Sequence, residues 1–185
     1  MRQRFSAISS VAACLLALAA LTFSASAAAA DLSRFDGEYK GSAEVISADG
    51  TKAMRDMNVM IKTKNKREFT VDWTSTTYRP DGRTKSKSYS INFESTSRPG
   101  VFAAAMRQDL FGNAVQLNPM KGEPYVWGRV KGDTLTIYSL YIDSEGGYDL
   151  QQFDRTLADG GLELAFHSIH NGMILRTVRT FLEKQ

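Results

Sequence analysis

Residues 162–182 read LELAFHSIHNGMILRTVRTFL, and the pair Asn171-Gly172 lies between two runs in which apolar and polar residues alternate. Asn-Gly favours a two-residue β-hairpin turn, because both central positions of that turn adopt positive φ. A turn of this length sets a register of opposing residues: His170 with Met173, Ser168 with Leu175, Phe166 with Thr177, Leu164 with Arg179. The stretch therefore predicts an antiparallel hairpin whose inner face is apolar at one end, polar at the other, and carries Arg179.

Turn signals of the same kind recur along the chain, separated by runs rich in Thr, Val, Ile, Tyr and Phe with a period of two. Such runs are typical of half-buried strands. Ten strands are predicted, near residues 37–47, 53–63, 68–78, 84–95, 101–107, 125–130, 133–142, 148–157, 162–170 and 173–182. All four prolines fall between these strands or at their edges, as expected of residues that cannot donate to a ladder.

The first predicted hairpin, over residues 37–63, also has a preferred register. A two-residue turn would mix apolar and acidic residues on one face. A three-residue loop with Gly50 in the left-handed conformation instead places Tyr39 opposite Val59 and keeps the apolar faces together. We therefore expect the longer loop.

Ten short strands joined by tight turns predict an all-β, antiparallel up-and-down meander. Closure into a barrel of about ten strands removes the exposed edges that such a sheet would otherwise have. A two-sheet β-sandwich is the alternative, since the same alternation serves both architectures. Residues 97–124 are the least regular part, and their role is not predicted. Polar residues on both faces of residues 84–88 argue against a lipid-facing barrel, so no stable membrane insertion is expected.

Residues 1–30 have the pattern of a secretory signal peptide. Arg2 and Arg4 precede an apolar run, which a tract of small residues with Ala-x-Ala sites follows. We expect cleavage between Ala27 and Asp31 and a periplasmic or secreted location. A lipoprotein cleavage box ending at Cys14 is the alternative, although most of the apolar run lies after that cysteine.

The remaining residues, 31–185, are expected to form a single domain. They contain 21 Lys plus Arg and 20 Asp plus Glu, so the formal net charge of +3 for the whole chain comes largely from the N-terminal segment. A nearly neutral domain gives no global reason to expect a nucleic-acid partner. The chain's one cysteine lies in the N-terminal segment, so no disulfide is expected and stability must come from the core.

The segment Phe35-Asp36-Gly37-Glu38-Tyr39-Lys40-Gly41 resembles the start of a calycin, the superfamily of lipocalins, fatty-acid-binding proteins and nitrobindin-like barrels. Lipocalins have a Trp where Tyr39 stands, and an arginine from a late strand packs across it. Arg179 resembles that arginine, which implies a structural pair of Tyr39 and Arg179. The resemblance implies a lipocalin-like barrel that binds a small apolar or amphipathic ligand inside.

Seven residues are the candidate ligand-binding set, because they combine aromatic surface with nearby polar groups. They are Trp73, Tyr125, Trp127, Arg129, Tyr141, Phe166 and His170. Within this set, Arg129 alternates with Tyr125 and Trp127 and is expected to share their face. Basic residues cluster at two turns, in residues 62–67 and 79–87, and together these clusters could form a basic rim that attracts an acidic ligand or a lipid head group.

No motif of a catalytic site occurs, such as Gly-x-Ser-x-Gly or His-Glu-x-x-His, so no catalytic residue is predicted. The two histidines, His167 and His170, lie on opposite faces of one strand, and no metal site or cofactor is expected. The sequence thus predicts an exported barrel that binds a small hydrophobic or amphipathic molecule. One alternative is a non-enzymatic module that binds an envelope protein or cell-wall polymer through its outer surface. A second is a haem-dependent barrel using His170, as the likeness to nitrobindin-like proteins implies.

Overall fold

A computed structural model of the chain describes residues 31–79, 81–105, 107–108 and 114–185. The strands in chain order are β1 (Gly37–Ser47), β2 (Lys52–Asn65), β3 (Glu68–Tyr78), β4 (Thr84–Ser95), β5 (Val101–Ala105), β6 (Arg107–Gln108), β7 (Ala114–Val115), β8 (Tyr125–Lys131), β9 (Thr134–Ile142), β10 (Tyr148–Ala158), β11 (Gly161–His170) and β12 (Met173–Lys184). Short 3₁₀ helices span Leu32–Phe35 and Pro119–Lys121.

Ten of these strands form a closed antiparallel barrel in the order β1-β12-β11-β10-β9-β8-β5-β4-β3-β2. Consecutive strands are neighbours all the way round, apart from β6 and β7, which pair with each other between β5 and β8. The predicted all-β meander and its closure are therefore confirmed, and the chain does not adopt the sandwich alternative. Closure pairs β1 with β12 and leaves neither strand as an edge.

The register predicted for the first hairpin is confirmed. Tyr39 lies opposite Val59 and Gly41 opposite Met57, as the longer loop requires. Gly50 has a φ of +80°, the left-handed conformation that only glycine adopts without steric cost. The loop length thus keeps the apolar residues of both strands on the inner face.

The second hairpin follows the prediction only near its turn. Asn171 and Gly172 have φ of 48° and 83°, and His170 lies opposite Met173 as expected. The register then shifts, because Ile169 pairs with Ile174 but Ser168 pairs with Arg176. The additional residue on β12 is Leu175, so the strand carries a β-bulge.

This bulge overturns the predicted position of Arg179. Leu164 lies opposite Thr180, and Arg179 lies opposite Ala165 on the exposed outer face. One extra residue exchanges the inner and outer faces of every position beyond it, because side chains alternate with a period of two. The prediction that Arg179 packs inward beneath Tyr39 is wrong, and Arg176 faces inward instead.

The core fills the end of the barrel that the Leu32–Phe35 helix covers, which we call the closed half. Leu32 and Phe35 are buried there, and the Tyr39 hydroxyl donates a hydrogen bond of 2.8 Å to the Phe35 carbonyl. On the neighbouring strands β3 and β4, the Phe69 and Phe93 rings stack with centroids 4.8 Å apart. Aromatic and aliphatic contacts therefore fill this end of the barrel.

One sequence prediction falls on residues outside the described ranges. It is the signal peptide over residues 1–30, including the alternative at Cys14. In the part of the chain that the structure does describe, no helix has the length and apolar character needed to cross a membrane.

Candidate functional site

The inward-facing residues change character along each strand. On β2 they change from apolar to basic in the order Ile61, Val59, Met57 and Arg55. On β4 they change in the same way, in the order Phe93, Ile91, Tyr89, Lys87 and Lys85. The polar ends of these series lie at the barrel end that contains the β1–β2, β3–β4, β9–β10 and β11–β12 turns. We call this end the open half, because the interior there is not filled.

A cavity of about 420 Å³ lies inside the open half. This volume falls within the range of about 300–1,000 Å³ that is usual for small-molecule sites. The described residues that line it come from six strands and the β3–β4 turn: Arg55, Met57, Val59, Trp73, Thr74, Ser75, Thr77, Arg79, Lys85, Lys87, Tyr89, Gln151, Phe153, Arg155, Leu164, Phe166, Arg176 and Val178.

An aromatic group forms the apolar wall of the cavity. The Trp73 ring stacks on Tyr89 with centroids 5.0 Å apart and lies 6.0 Å from Phe153. Phe153 in turn lies 4.7 Å from Phe166 on the neighbouring strand. The basic residues line the same cavity, so the site offers both an apolar and a charged surface.

Arg155 is the most buried charged residue of the cavity, with 2% of its surface exposed. Its Nε and Nη1 atoms are buried and have no hydrogen-bond partner, and its guanidinium lies 5.5 Å from the centre of the Phe153 ring. Burial lowers the pKa of Arg155 to about 10, although the neighbouring Asp154 opposes this shift. At neutral pH the cavity therefore contains a charged guanidinium with unused donors.

Two further arginines accompany Arg155. The Nε atom of Arg176 is also buried without a hydrogen-bond partner. Arg55 donates from Nε to the Thr77 hydroxyl at 3.0 Å, and burial, followed by the charge of Arg176, lowers its pKa. Like charges therefore meet inside the barrel, an arrangement that an anion would relieve.

The charged residues in the lining are all cationic. The lining has six cationic side chains, Arg55, Arg79, Lys85, Lys87, Arg155 and Arg176, while the described lining residues include no Asp, Glu or His. In the β3–β4 turn, Arg83 pairs with Asp81, but neither residue lines the cavity. Since the walls have low dielectric constant, these charges concentrate a positive potential within the barrel.

The structure brings only two of the seven predicted ligand-binding residues, Trp73 and Phe166, to the cavity. Three others lie on the outer face of β8: Tyr125, Trp127 and Arg129. The alternate positions Val126 and Val130 are buried, and a Cβ on Gly128 would lie 3.3 Å from the Phe93 ring. The prediction that these three face inward is wrong, because the narrow closed half admits the small residues of β8 and excludes Trp127.

The last two predicted residues, Tyr141 and His170, lie near the open end but not in the lining of the cavity. His170 Nδ1 lies 3.0 Å from Asp149 Oδ1, and its Nε2 lies 3.2 Å from Asn171 Nδ2. Both ring nitrogens thus already have partners, which does not suit an axial haem ligand. In the described ranges, no group of three or more His, Cys, Asp or Glu side chains could hold a metal ion.

Sequence reasoning missed three of the four arginines that line the cavity, namely Arg55, Arg155 and Arg176. Two of them could be recognised from the alternation of the strands. Arg55 lies four residues from Val59 on β2 and Arg155 two residues from Phe153 on β10, so each arginine shares a face with an apolar residue. A charged residue on an apolar strand face is unusual and could have been singled out. Arg176 carried no such signal, because its orientation depends on the bulge at Leu175.

Comparisons with protein families and with curated proteins do not identify this site. No protein-family model matches the sequence, and no curated protein is significantly similar to it. The barrel is compatible with the calycin architecture. Function must therefore be argued from the cavity itself.

Proposed function

We propose that the protein is an exported barrel that binds a small amphipathic molecule in the cavity of its open half. The cavity itself carries this proposal, since aromatic side chains such as Trp73 and cationic side chains such as Arg155 line it together. A ligand with a polar head and an apolar body satisfies both kinds of lining residue at once. The signal-peptide pattern of residues 1–30 supports a periplasmic or secreted location.

The two tryptophans of the chain supply a direct test. Trp73 lines the cavity, whereas Trp127 lies on the outer face and stacks on Tyr138 at 4.7 Å. A bound apolar fluorescent probe should accept energy from Trp73 or alter its emission. We expect the signal to persist in Trp127→Phe and to weaken strongly in Trp73→Phe.

The same two variants also show which results would contradict the proposal. Both substitutions retain an aromatic ring, so the folded state of each variant is checked by circular dichroism and a thermal melt. Equal loss of the signal in both variants, or a parent protein that takes up no apolar probe or amphiphile, would contradict binding inside the barrel.

An outer-surface function is the second candidate, and one observation favours it. Tyr125, Trp127 and Tyr138 form a continuous aromatic strip on β8 and β9, with ring centroids 5.9 and 4.7 Å apart. Flat aromatic strips suit contacts with a protein or a cell-wall polymer. Co-sedimentation with purified cell wall, compared between the parent and Trp127→Ala, tests this candidate independently of the cavity.

Export has its own test. If residues 1–30 act as a signal peptide, the protein recovered from the cell envelope begins between Ala28 and Asp31 and carries no lipid. N-terminal sequencing and intact mass measure both properties. A lipid-modified N-terminus at Cys14 would contradict the proposal and favour a membrane-anchored form.

A further inference from the structure

The buried guanidiniums of the cavity carry an inference about the ligand's head group, and it rests on the proposed amphiphile binding. Arg155 Nε, Arg155 Nη1 and Arg176 Nε are buried donors without partners. Leaving such donors unpaired costs free energy, and the cost is greatest when the group is charged. An arrangement that is unfavourable in the empty barrel becomes favourable when an anion accepts these hydrogen bonds.

The charge of the lining indicates how much negative charge that anion carries. Six cationic side chains face the cavity, and no acidic side chain stands among the described lining residues. The charge of Arg176 also acts on Arg55, so the two guanidiniums repel each other. A singly charged head would leave most of this repulsion in place, whereas a doubly charged head relieves more of it.

We propose that the head group is a phosphate monoester, bound as the dianion by the guanidiniums that line the cavity. A phosphate monoester presents three terminal oxygens, whereas a carboxylate presents two, so it can accept hydrogen bonds from more of the unpaired donors of Arg155 or Arg176. Guanidinium groups bind phosphate through paired, charge-assisted hydrogen bonds. The alkyl part of the ligand then packs against Trp73, Phe153 and Phe166, which line the same cavity.

A series of four ten-carbon amphiphiles tests the head group while the number of carbon atoms stays constant. Decyl phosphate, decyl sulfate, decanoate and decanol are titrated at pH 8, below the concentration at which they form micelles, by displacement of an apolar fluorescent probe. Decyl sulfate has the same tetrahedral shape as the phosphate but only one charge. We expect decyl phosphate to bind at least about tenfold more tightly than the other three, which corresponds to one additional charge-assisted hydrogen bond.

The same titrations at pH 5 provide a second test with the same ligands. The second pKa of a phosphate monoester is about 6, so at pH 5 it is mainly a monoanion. None of the described lining residues is an Asp, Glu or His, so the cavity itself keeps its charge between pH 8 and pH 5. The preference for phosphate over sulfate should therefore shrink towards unity at pH 5.

Paired variants assign the effect to the inward arginines. Arg176→Gln removes a cavity guanidinium, and Arg179→Gln removes an exposed guanidinium three residues further along the same strand. We expect Arg176→Gln and Arg155→Met to lose about tenfold or more of the affinity for decyl phosphate, with decanol binding unchanged. Arg179→Gln should bind like the parent.

The outcomes separate this inference from the function on which it rests. If all four compounds bind with similar affinity, or if Arg179→Gln weakens phosphate binding as much as Arg176→Gln, the phosphate head group is wrong while the amphiphile cavity stands. Tightest binding of decanoate would assign a carboxylate head instead. If neither the probe nor any of the four compounds binds the parent protein, the proposed function itself is wrong.

Discussion

The two halves of the barrel are built from the same strands but are stabilised differently. In the closed half, inward residues such as Phe69, Phe93 and Leu135 are fully buried and pack against one another. In the open half, the same strands turn Arg55, Lys87 and other polar groups inward around a cavity. Because apolar burial is the main favourable term in folding, the closed half supplies most of the stability.

This division shows how a small barrel can contain a ligand site without losing its fold. Unpaired buried charge and empty volume both reduce stability, and the open half has both at Arg155. The backbone ladder is continuous through both halves, so the filled end holds the strands of the empty end in place. Stability and ligand binding can therefore be altered separately, and the following predictions test that separation.

The largest effect is expected in the closed half. Phe69→Ala removes a ring that stacks on Phe93 and meets Phe102 edge-on, and it leaves a cavity in a packed region. We expect the free energy of unfolding to fall by about 3–5 kcal/mol. The open-half variant Lys87→Ala should change it by no more than about 0.5 kcal/mol. Urea unfolding measures both, and similar losses would contradict the division of the barrel.

In the open half we expect a substitution that raises the free energy of unfolding. Arg155→Met replaces a buried, incompletely paired guanidinium by an apolar side chain, and should raise the free energy of unfolding of the empty protein by about 1–4 kcal/mol. Burial lowers the pKa of Arg155 to about 10, which is still above neutral pH. The guanidinium is therefore charged at pH 7, and the free-energy cost of burying its charge is fully present there.

The exposed outer residue Arg129 provides the control for that variant. Arg129→Met should leave stability within about 0.5 kcal/mol of the parent, since it removes a solvated charge. Urea melts at pH 7 without ligand compare the three proteins. A fall in stability for Arg155→Met would mean that this arginine supports the fold, not the ligand.

A smaller loss in the free energy of unfolding is expected at the Leu32–Phe35 helix, which covers the closed half. Tyr39→Phe removes the hydroxyl that donates to the Phe35 carbonyl at 2.8 Å, with both groups buried. The loss should be about 0.5–1.5 kcal/mol, because one neutral hydrogen bond disappears and the ring stays in place. Hydrogen exchange at residues 32–36 should accelerate, while amides around the cavity keep their protection. Faster exchange in the open half instead would show that the two halves are coupled.

The smallest effect concerns the outer wall of the open half. The Asp56 carboxylate accepts hydrogen bonds from the hydroxyls of Ser42 and Tyr78, both at 2.6 Å, and so links β1, β2 and β3. These bonds, that of Ser42 first, lower the pKa of Asp56 below its usual 3.8. Their contribution to stability is present above that ordinary pKa and is lost as the pH falls through the lowered one.

An NMR titration of the Asp56 carboxyl carbon measures this pKa directly. In Ser42→Ala the midpoint should move up towards 3.8, because the hydrogen bond that lowers this pKa most is absent. Asp81, whose pKa is lowered by its hydrogen bond from the Arg83 side chain, is the control and should titrate alike in both proteins. An unchanged Asp56 midpoint would show that the bond to Ser42 does not hold this wall in solution.

Local sequence was sufficient for most of the fold. Gly50 determined a loop length, and the loop length placed Tyr39 opposite Val59, as the structure has it. The Asn171-Gly172 pair likewise determined the turn of the last hairpin. These predictions succeeded because turn chemistry and side-chain alternation act over a few residues, within the reach of a sequence pattern.

The candidate site depended on interactions that no local pattern contains. On β8, both faces read as apolar, and only the narrow interior beside Phe93 decides that Gly128 faces inward and Trp127 outward. On β12, the bulge at Leu175 exchanges the faces of Arg176 and Arg179. The sequence by itself determined the strands, their order and a meander that must close. Tertiary packing decided that Arg176 enters the cavity and Arg179 does not, because the fit between strands places the bulge that sets the face each residue presents.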